Sequence, residues 1–398
     1  MSNWSSRYEE SMLGVFGTPM LVLARGEGVF VWDVDGKRYM DLLGGIAVNA
    51  LGHAHPAVHA AIEKQARTLI HASNFFATMP QIELGEKIRE VVAPGQPAKV
   101  FLANSGTEAN EAALKIVKAH GKASGKSRIL VLERAFHGRT LGALSLTYKE
   151  AYREPFAPLI PGIEWITPTV EALEAAFDEN VAGIFVEPIQ GEAGVLEVPA
   201  GFLERTRELC DEYGALMVVD EVQTGIGRTG KWMGHHGRGI VPDVVTLAKA
   251  LGGGVPIGAA VTLTEVAGGI LTPGMHGTTF GGNPVAAAAA IAVLDEITSK
   301  NLVSHAATLG AQWMENIRAL NHPHIKAVRG QGLLIGIELD QPLAAKALKV
   351  ALQEGFIVNA ANPSTIRLAP PLIITAEQAG EFTDALWGIL AKTYEEGE

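Results

Sequence analysis

The hydrophobic positions along this chain change period several times, and the changes mark out its elements. Between Val29 and Met40 two apolar runs flank Asp35-Gly36, a pair suited to a tight turn, so an antiparallel hairpin is expected there. Segment 44–56, rich in glycine and histidine, leads to a helix with apolar spacing at Val58, Ala61 and Ile62. From residue 99 onward, short β-branched runs at 99–104, 128–133, 182–187, 215–222, 244–248 and 258–263 read as strands. Helical stretches such as 202–213 separate several of them, which implies right-handed crossovers and a mostly parallel sheet. Ser105 and Glu108 have the spacing of a capping box, opening a helix expected to run to about His120 and stop at Gly121. Past residue 302 the pattern changes to a long helix (Leu309, Trp313, Ile317, Leu320), a strand at 332–339, another helix, and short runs at 356–359 and 365–371. The expected division is a large domain at 56–300 and a small α+β domain built from 1–55 and 301–398.

Composition narrows the class. With 398 residues and 47% hydrophobic content, the chain can bury one large core and a smaller satellite. A net charge of -11 speaks against a nucleic-acid partner, which requires a basic face. Cys210 is the only cysteine, so no intramolecular disulfide can form and a reducing cytoplasm is the expected location. Met1-Ser2-Asn3-Trp4-Ser5-Ser6 lacks the basic-then-apolar pattern of a signal peptide. The longest apolar run, 285–294, falls well short of the ~20 residues a spanning helix needs, so no membrane role is expected.

Two of the strand-like runs end on, or just before, an ionisable residue: Leu216-Met217-Val218-Val219 on Asp220, and Val244-Val245-Thr246-Leu247-Ala248 on Lys249. In a parallel sheet the carboxyl ends of the strands face the ligand crevice. A carboxylate that keeps a pyridine nitrogen protonated and a lysine that joins an aldehyde are what pyridoxal phosphate needs from a protein. Spacing alone leaves open a merely buried aspartate and a snorkelling lysine. The helix start at Ser105-Gly106-Thr107 offers free N–H groups, a glycine that admits close approach and two hydroxyls, a phosphate seat or else a plain capped helix. His53 and His55 have no acidic or cysteine neighbours on their loop and read as a structural turn, so no metal is expected. Gly225, Gly227 and Gly230 match dinucleotide spacing, but no amphipathic helix follows them. Gly125-Lys126-Ser127 resembles the end of a P-loop, yet His120 stands where its first glycine belongs.

A set of motifs then spans nearly the whole chain: Asn104-Ser105-Gly106-Thr107-Glu108-Ala109-Asn110-Glu111, Phe136-His137-Gly138-Arg139-Thr140, Glu187-Pro188-Ile189-Gln190-Gly191-Glu192, Asp220-Glu221-Val222-Gln223-Thr224-Gly225, Lys249, His276-Gly277-Thr278-Thr279-Phe280-Gly281-Gly282-Asn283-Pro284 and Arg367-Leu368-Ala369-Pro370-Pro371. In order and spacing it resembles the class III (ω-amino) pyridoxal-phosphate aminotransferases. The resemblance implies an α/β architecture of fold type I, with a large seven-stranded, mostly parallel domain, a small domain from both chain ends, and a homodimer with sites at the interface. It implies that Lys249 carries the cofactor and moves the proton, that Asp220 holds the pyridine nitrogen protonated, and that Gln223 bonds the ring 3-oxygen. Phe136 and Val222 would sandwich the ring, with Asp220 and Val222 on one side of an extended strand. Ser105, Gly106 and Thr107 would seat the phosphate, and Thr279 would reach it from the other subunit. The family often has Ser-Thr where this chain has Thr278-Thr279, a change that keeps the hydroxyl, and the resemblance implies that Thr278 contacts the substrate.

For substrates, the resemblance implies small molecules, with N2-acetylornithine as donor and 2-oxoglutarate as acceptor. Arg139 would hold the donor's α-carboxylate and Arg367 that of 2-oxoglutarate, while Glu192 masks Arg367 when the donor is bound. Bidentate geometry suits arginine to both places. Succinylornithine, ornithine and 4-aminobutyrate stay open as donors. Outside the family, a nicotinamide-dependent oxidoreductase and a non-catalytic cofactor-binding module are the rival classes.

Overall fold

A computed structural model describes residues 3–395. Met1 and Ser2 of the stretch read for a targeting signal, and the last three residues of the C-terminal module, lie outside the described residues.

Seven strands form the central sheet, in the order Lys99–Ala103, Gly258–Thr262, Val244–Leu247, Leu216–Asp220, Val181–Val186, Arg128–Leu132 and Ile163–Ile166. Only Gly258–Thr262 runs antiparallel to its neighbours. The strands are buried on both faces, which is why they read as continuous apolar runs. Val244 packs into the cluster on one side of the sheet and Val245 into the cluster on the other. The longest apolar run belongs to the helix Pro284–Ser299, whose alanine-rich surface packs between the helices Pro56–Thr68 and Met79–Val92. A helix apolar on most sides is a core helix.

Besides a two-stranded pair, Ile189–Gln190 with Leu196–Glu197, two four-stranded sheets accompany this unit. In one, Leu23–Glu27, Phe30–Asp33 and Arg38–Asp41 pair antiparallel, and Phe356–Ile357 adds to Arg38–Asp41 in parallel, so both chain ends share a sheet. The other, Ile325–Gln331, Leu334–Leu339, Thr365–Leu368 and Asn359–Asn362, is antiparallel and carries Arg367. Among the described residues, no helix is long and apolar enough to cross a membrane.

Several expectations need correcting. The helix that begins after Ser105 is Gly106–Ser124 and passes through Gly121, ending at left-handed Gly125. Gly121 serves packing instead, since a Cβ there would meet the Ala182 side chain at 2.8 Å. The capping box is only half formed. Ser105 Oγ accepts from the Glu108 N–H at 3.2 Å, but the Glu108 carboxylate bonds the Asn104 backbone N–H and side-chain amide. Strand Leu216–Asp220 stops two residues early, because Asp220 Oδ1 accepts the Val222 N–H at 2.9 Å and turns the chain. Asp220 and Val222 therefore meet through a turn and not through strand alternation. The edge strands Ile163–Ile166 and Ile325–Gln331 and the helix Met79–Val92 were not expected.

Candidate active site

Where the strands Leu216–Asp220 and Val244–Leu247 end, opposite the start of helix Gly106–Ser124, lies a cavity of about 430 Å³. It is lined by Ser105, Gly106, Thr107, Phe136, Arg139, Asp220, Val222, Gln223 and Lys249, and also by Asn110, His137 and Glu187. The first N–H groups of a helix have no partner within it, and its N-terminal end carries partial positive charge, so one wall of the cavity suits an anion. Gly106 is required there: a Cβ would meet Val222 Cγ1 at 2.7 Å.

Lys249 opens a single 3₁₀ turn, Lys249–Gly252, with φ of 47°. A lysine in the left-handed region stores about 1 kcal/mol or more of strain, and such strain clusters where a side chain must be aimed. Among the described residues its ammonium has no hydrogen bond or ion pair. Burial lowers its pKa, with the Glu192 charge opposing, so a neutral amine is brought within easier reach.

Asp220 is fixed on its far side. Oδ2 accepts from the Asn110 amide at 2.7 Å and faces His137 Nδ1 at 2.7 Å, and Asn110 Oδ1 in turn accepts the Thr246 hydroxyl at 2.9 Å. Burial pushes the Asp220 carboxyl up, but the hydrogen bond and charge of His137, with the Val222 N–H and Asn110 behind them, outweigh it and hold the group ionised. Burial likewise pushes His137 down, and Asp220 outweighs it, so the imidazole is raised. The pair is an aspartate braced by a histidine whose charged form the aspartate favours.

Glu187 ends strand Val181–Val186 as Asp220 ends its neighbour, and its Oε1 accepts the Phe136 N–H at 3.0 Å. Burial pushes its pKa up to about 7, partly offset by the positive charge of His137.

Behind Gln223 stands the second arginine. Arg367, 1% exposed, donates from Nη1 to Glu192 Oε1 at 2.6 Å and Gln223 Oε1 at 3.0 Å, and from Nη2 to Asn359 Oδ1 at 2.8 Å. Burial pushes Glu192 up, but the charges of Arg367 and Lys249 outweigh it and keep the carboxylate ionised. Arg139, by contrast, is exposed at the rim, with no carboxylate within 4 Å among the described residues. Thr278 and Thr279 do not reach this cavity within one chain. They line an adjoining open groove of about 1180 Å³ with Phe75, which is 92% exposed. His53 bonds Asp41 at 2.8 Å and His55 stands 3.8 Å from Glu296.

Glu187, His137 and Asn110 are site residues that the sequence reading did not single out. Glu187 satisfies the same criterion as Asp220, an ionisable residue closing an apolar run. His137 and Asn110 reach Asp220 from a loop and a helix, and only three-dimensional contact reveals them.

A strand-end lysine and aspartate facing a helix start, on a mostly parallel sheet, define the class of protein that binds a phosphorylated pyridine aldehyde. The family model for aminotransferase class-III matches residues 15–390, and the chain belongs to that family. It is 52% identical to the acetylornithine aminotransferase of Mycolicibacterium smegmatis, covering 97% of both chains. It is 50% identical to that of Mycobacterium tuberculosis, covering 96% of this chain and 95% of the relative. Among solved structures, the ornithine aminotransferase of Toxoplasma gondii superposes with a TM-score of 0.93 at 33% identity, covering 99% of this chain and 95% of that one.

The family is pyridoxal-phosphate dependent, and the donor set here fits that cofactor. An unpartnered, half-buried lysine, an ionised aspartate braced from behind, and a helix start opened by Gly106 would suit its aldehyde, ring nitrogen and phosphate in turn.

Proposed function

We propose that this protein transfers the δ-amino group of N2-acetyl-L-ornithine to 2-oxoglutarate, giving N-acetyl-L-glutamate 5-semialdehyde and L-glutamate, a step of arginine biosynthesis in the cytoplasm. The observation that carries the reading is the unequal state of the two arginines. Arg139 is open and uncompensated, whereas Arg367 is buried and paired with Glu192. A donor with one carboxylate far from its reacting amine needs one open cation. An acceptor with two carboxylates needs a second cation, which must be covered while the donor binds.

Bound pyridoxal phosphate supplies the aldehyde that takes up the amino group and a protonated ring that withdraws electrons from the reacting carbon. Each residue then has a task. Asp220, kept ionised by His137, holds the proton on the ring nitrogen. Lys249, its basicity tuned by burial, would take the proton from the donor's δ-carbon and serve as the acid that gives it back. Ser105, Gly106 and Thr107 would hold the phosphate, Phe136 and Val222 the ring, and Gln223 its 3-oxygen. Arg139 orients the donor through its α-carboxylate and later takes the distal carboxylate of 2-oxoglutarate. Arg367 takes the α-carboxylate of 2-oxoglutarate once Glu192 moves aside.

We infer a homodimer in which Thr279, with Thr278 beside it, completes the partner's phosphate site. The support is the open groove that holds both threonines, lined also by the exposed apolar side chains of Phe75 and Ile82. Exposed apolar surface of this kind marks an interface.

The test is a panel of amino donors with 2-oxoglutarate, following glutamate formation. The expected result is highest kcat/KM for acetylornithine. Higher values for ornithine or 4-aminobutyrate would replace the donor while leaving the family intact.

A further inference from the structure

We propose that Tyr152 is a positioning residue that sets affinity for the donor's carboxylate, by holding the Arg139 guanidinium over the pocket rim without neutralising it. The inference rests on the reading of Arg139 given above. The Arg139 Cζ lies 3.5 Å from the centre of the Tyr152 ring and 5.6 Å from that of Phe136. The side chain makes no hydrogen bond and no ion pair among the described residues, while the Arg139 backbone N–H donates to Thr107 Oγ1 at 3.3 Å. Several other arginines of the chain are held by acids, whereas Arg38 and Arg153, like Arg139, lie over aromatic rings without one among the described residues. Arg128 bonds Glu164 and Asp178, Arg207 bonds Asp243 and Asp211, and Arg367 bonds Glu192.

The difference has a chemical consequence. A carboxylate orients a guanidinium by cancelling its charge and occupying its N–H fork. An aromatic face attracts the cation through its quadrupole, brings no net charge, and leaves the edge donors free for a planar, bidentate anion. Arg139 is therefore oriented and still fully charged. Tyr152 is itself anchored: it lies on the short helix Glu150–Arg153, whose last residue places its guanidinium 4.0 Å over Trp165 and donates to Tyr148 O at 3.0 Å. Lys149 adds a second cation 4.6 Å from the Tyr152 ring, so removing the ring would also bring two positive side chains closer in effect.

The experiment measures, on the holoenzyme, the Kd of N2-acetylnorvaline, an acetylornithine analogue that lacks the reacting amine, together with kcat and KM for acetylornithine. Tyr152→Leu is expected to raise Kd and KM about tenfold, equivalent to ~1.4 kcal/mol, while kcat falls less than threefold. Tyr152→Phe, which keeps the face and loses the hydroxyl, is expected to restore both to within about twofold of the parent. An unchanged Kd in Tyr152→Leu, or a Phe variant as weak as the Leu variant, would overturn the inference. Arg139→Ala separates the two levels. If it leaves Kd unchanged, the assignment of Arg139 fails; if it raises Kd and Tyr152→Leu does not, the role of Tyr152 alone fails.

Discussion

Replacing Glu187 by Gln gives a test of the pocket's electrostatics that needs no turnover. Burial raises this carboxyl from an ordinary 4.5 to about 7, so the folded protein holds a proton there that the unfolded chain has released over that interval. A raised pKa contributes stability that is fully present below the unfolded value and is lost as pH rises through the folded value. The difference is roughly 2.5 units at 1.36 kcal/mol each, which makes the loss on the order of 3 kcal/mol between about pH 4.5 and 7. The amide is nearly isosteric, and its oxygen can still accept the Phe136 N–H, so the variant keeps the bond and sheds the titration. Glu192 has a lowered value and the opposite slope, but both proteins contain it, so it cancels in the comparison, whereas Asp220 and His137 exchange charge interactions with Glu187 and shift with the substitution. Denaturant unfolding of the cofactor-free forms at pH 5 and pH 8 should show Glu187→Gln gaining on the parent by ~2–3 kcal/mol across that range. A difference independent of pH would mean that Glu187 is already ionised when folded, and the desolvation reasoning would be wrong.

Three further substitutions probe the chemistry. Lys249→Ala should leave circular dichroism and melting temperature near normal while turnover drops by several powers of ten, each worth ~1.4 kcal/mol of barrier; near-normal activity would sink the assignment. Asp220→Asn should still bind cofactor, yet slow the acetylornithine half-reaction at least a hundredfold, and it should cost stability because His137 loses its buried partner; single-turnover rates and unfolding curves measure the two effects. Arg367→Ala should impair the 2-oxoglutarate half-reaction far more than the donor half-reaction, and Glu192→Ala should shift donor preference toward glutamate by roughly tenfold. That figure is kept modest because the Glu192 side chain is a third exposed and Asn359 and Gln223 still hold Arg367. Equal losses in both half-reactions, or an unchanged donor preference, would remove the support for masking.

Much of the large sheet was legible because its strands are buried on both faces and therefore print as uninterrupted apolar runs. The exceptions follow the same logic. Ile163–Ile166 is an edge strand whose Glu164 pairs with Arg128 on the neighbouring strand, so its apolar run is broken by a charge that the fold neutralises sideways. Gly121 looked like a stop signal because glycine usually ends helices, but here it is the point where the helix touches Ala182. The ends of strands were overestimated at Asp220 because an aspartate that bonds the backbone two residues on terminates a strand without any change in hydrophobicity. Within the site, residues at strand ends could be found by position, whereas His137, Asn110 and Tyr152 act through contacts between distant segments that no spacing encodes.

The unequal treatment of its cations explains how one pocket can serve two different acids. The chain carries a net charge of -11, so its long-range field does not draw a dicarboxylate in, and recognition has to be local. Three local positive features lie in or beside the pocket: the helix start at Gly106 and the exposed Arg139 in its wall, and the buried Arg367 behind Gln223. If all three were open together, any small dianion would occupy the pocket and exclude an amine donor. Glu192 removes one of them, at 2.6 Å, from a position where its own carboxylate is held ionised by the cation it covers. The cover is half outside, however, since Arg367 is fully buried while the Glu192 side chain is a third exposed, so the acid is the partner able to leave. On the proposed reading, selectivity between donor and acceptor would depend on the mobility of one glutamate, set against an arginine that Gln223 and Asn359 continue to hold when it leaves.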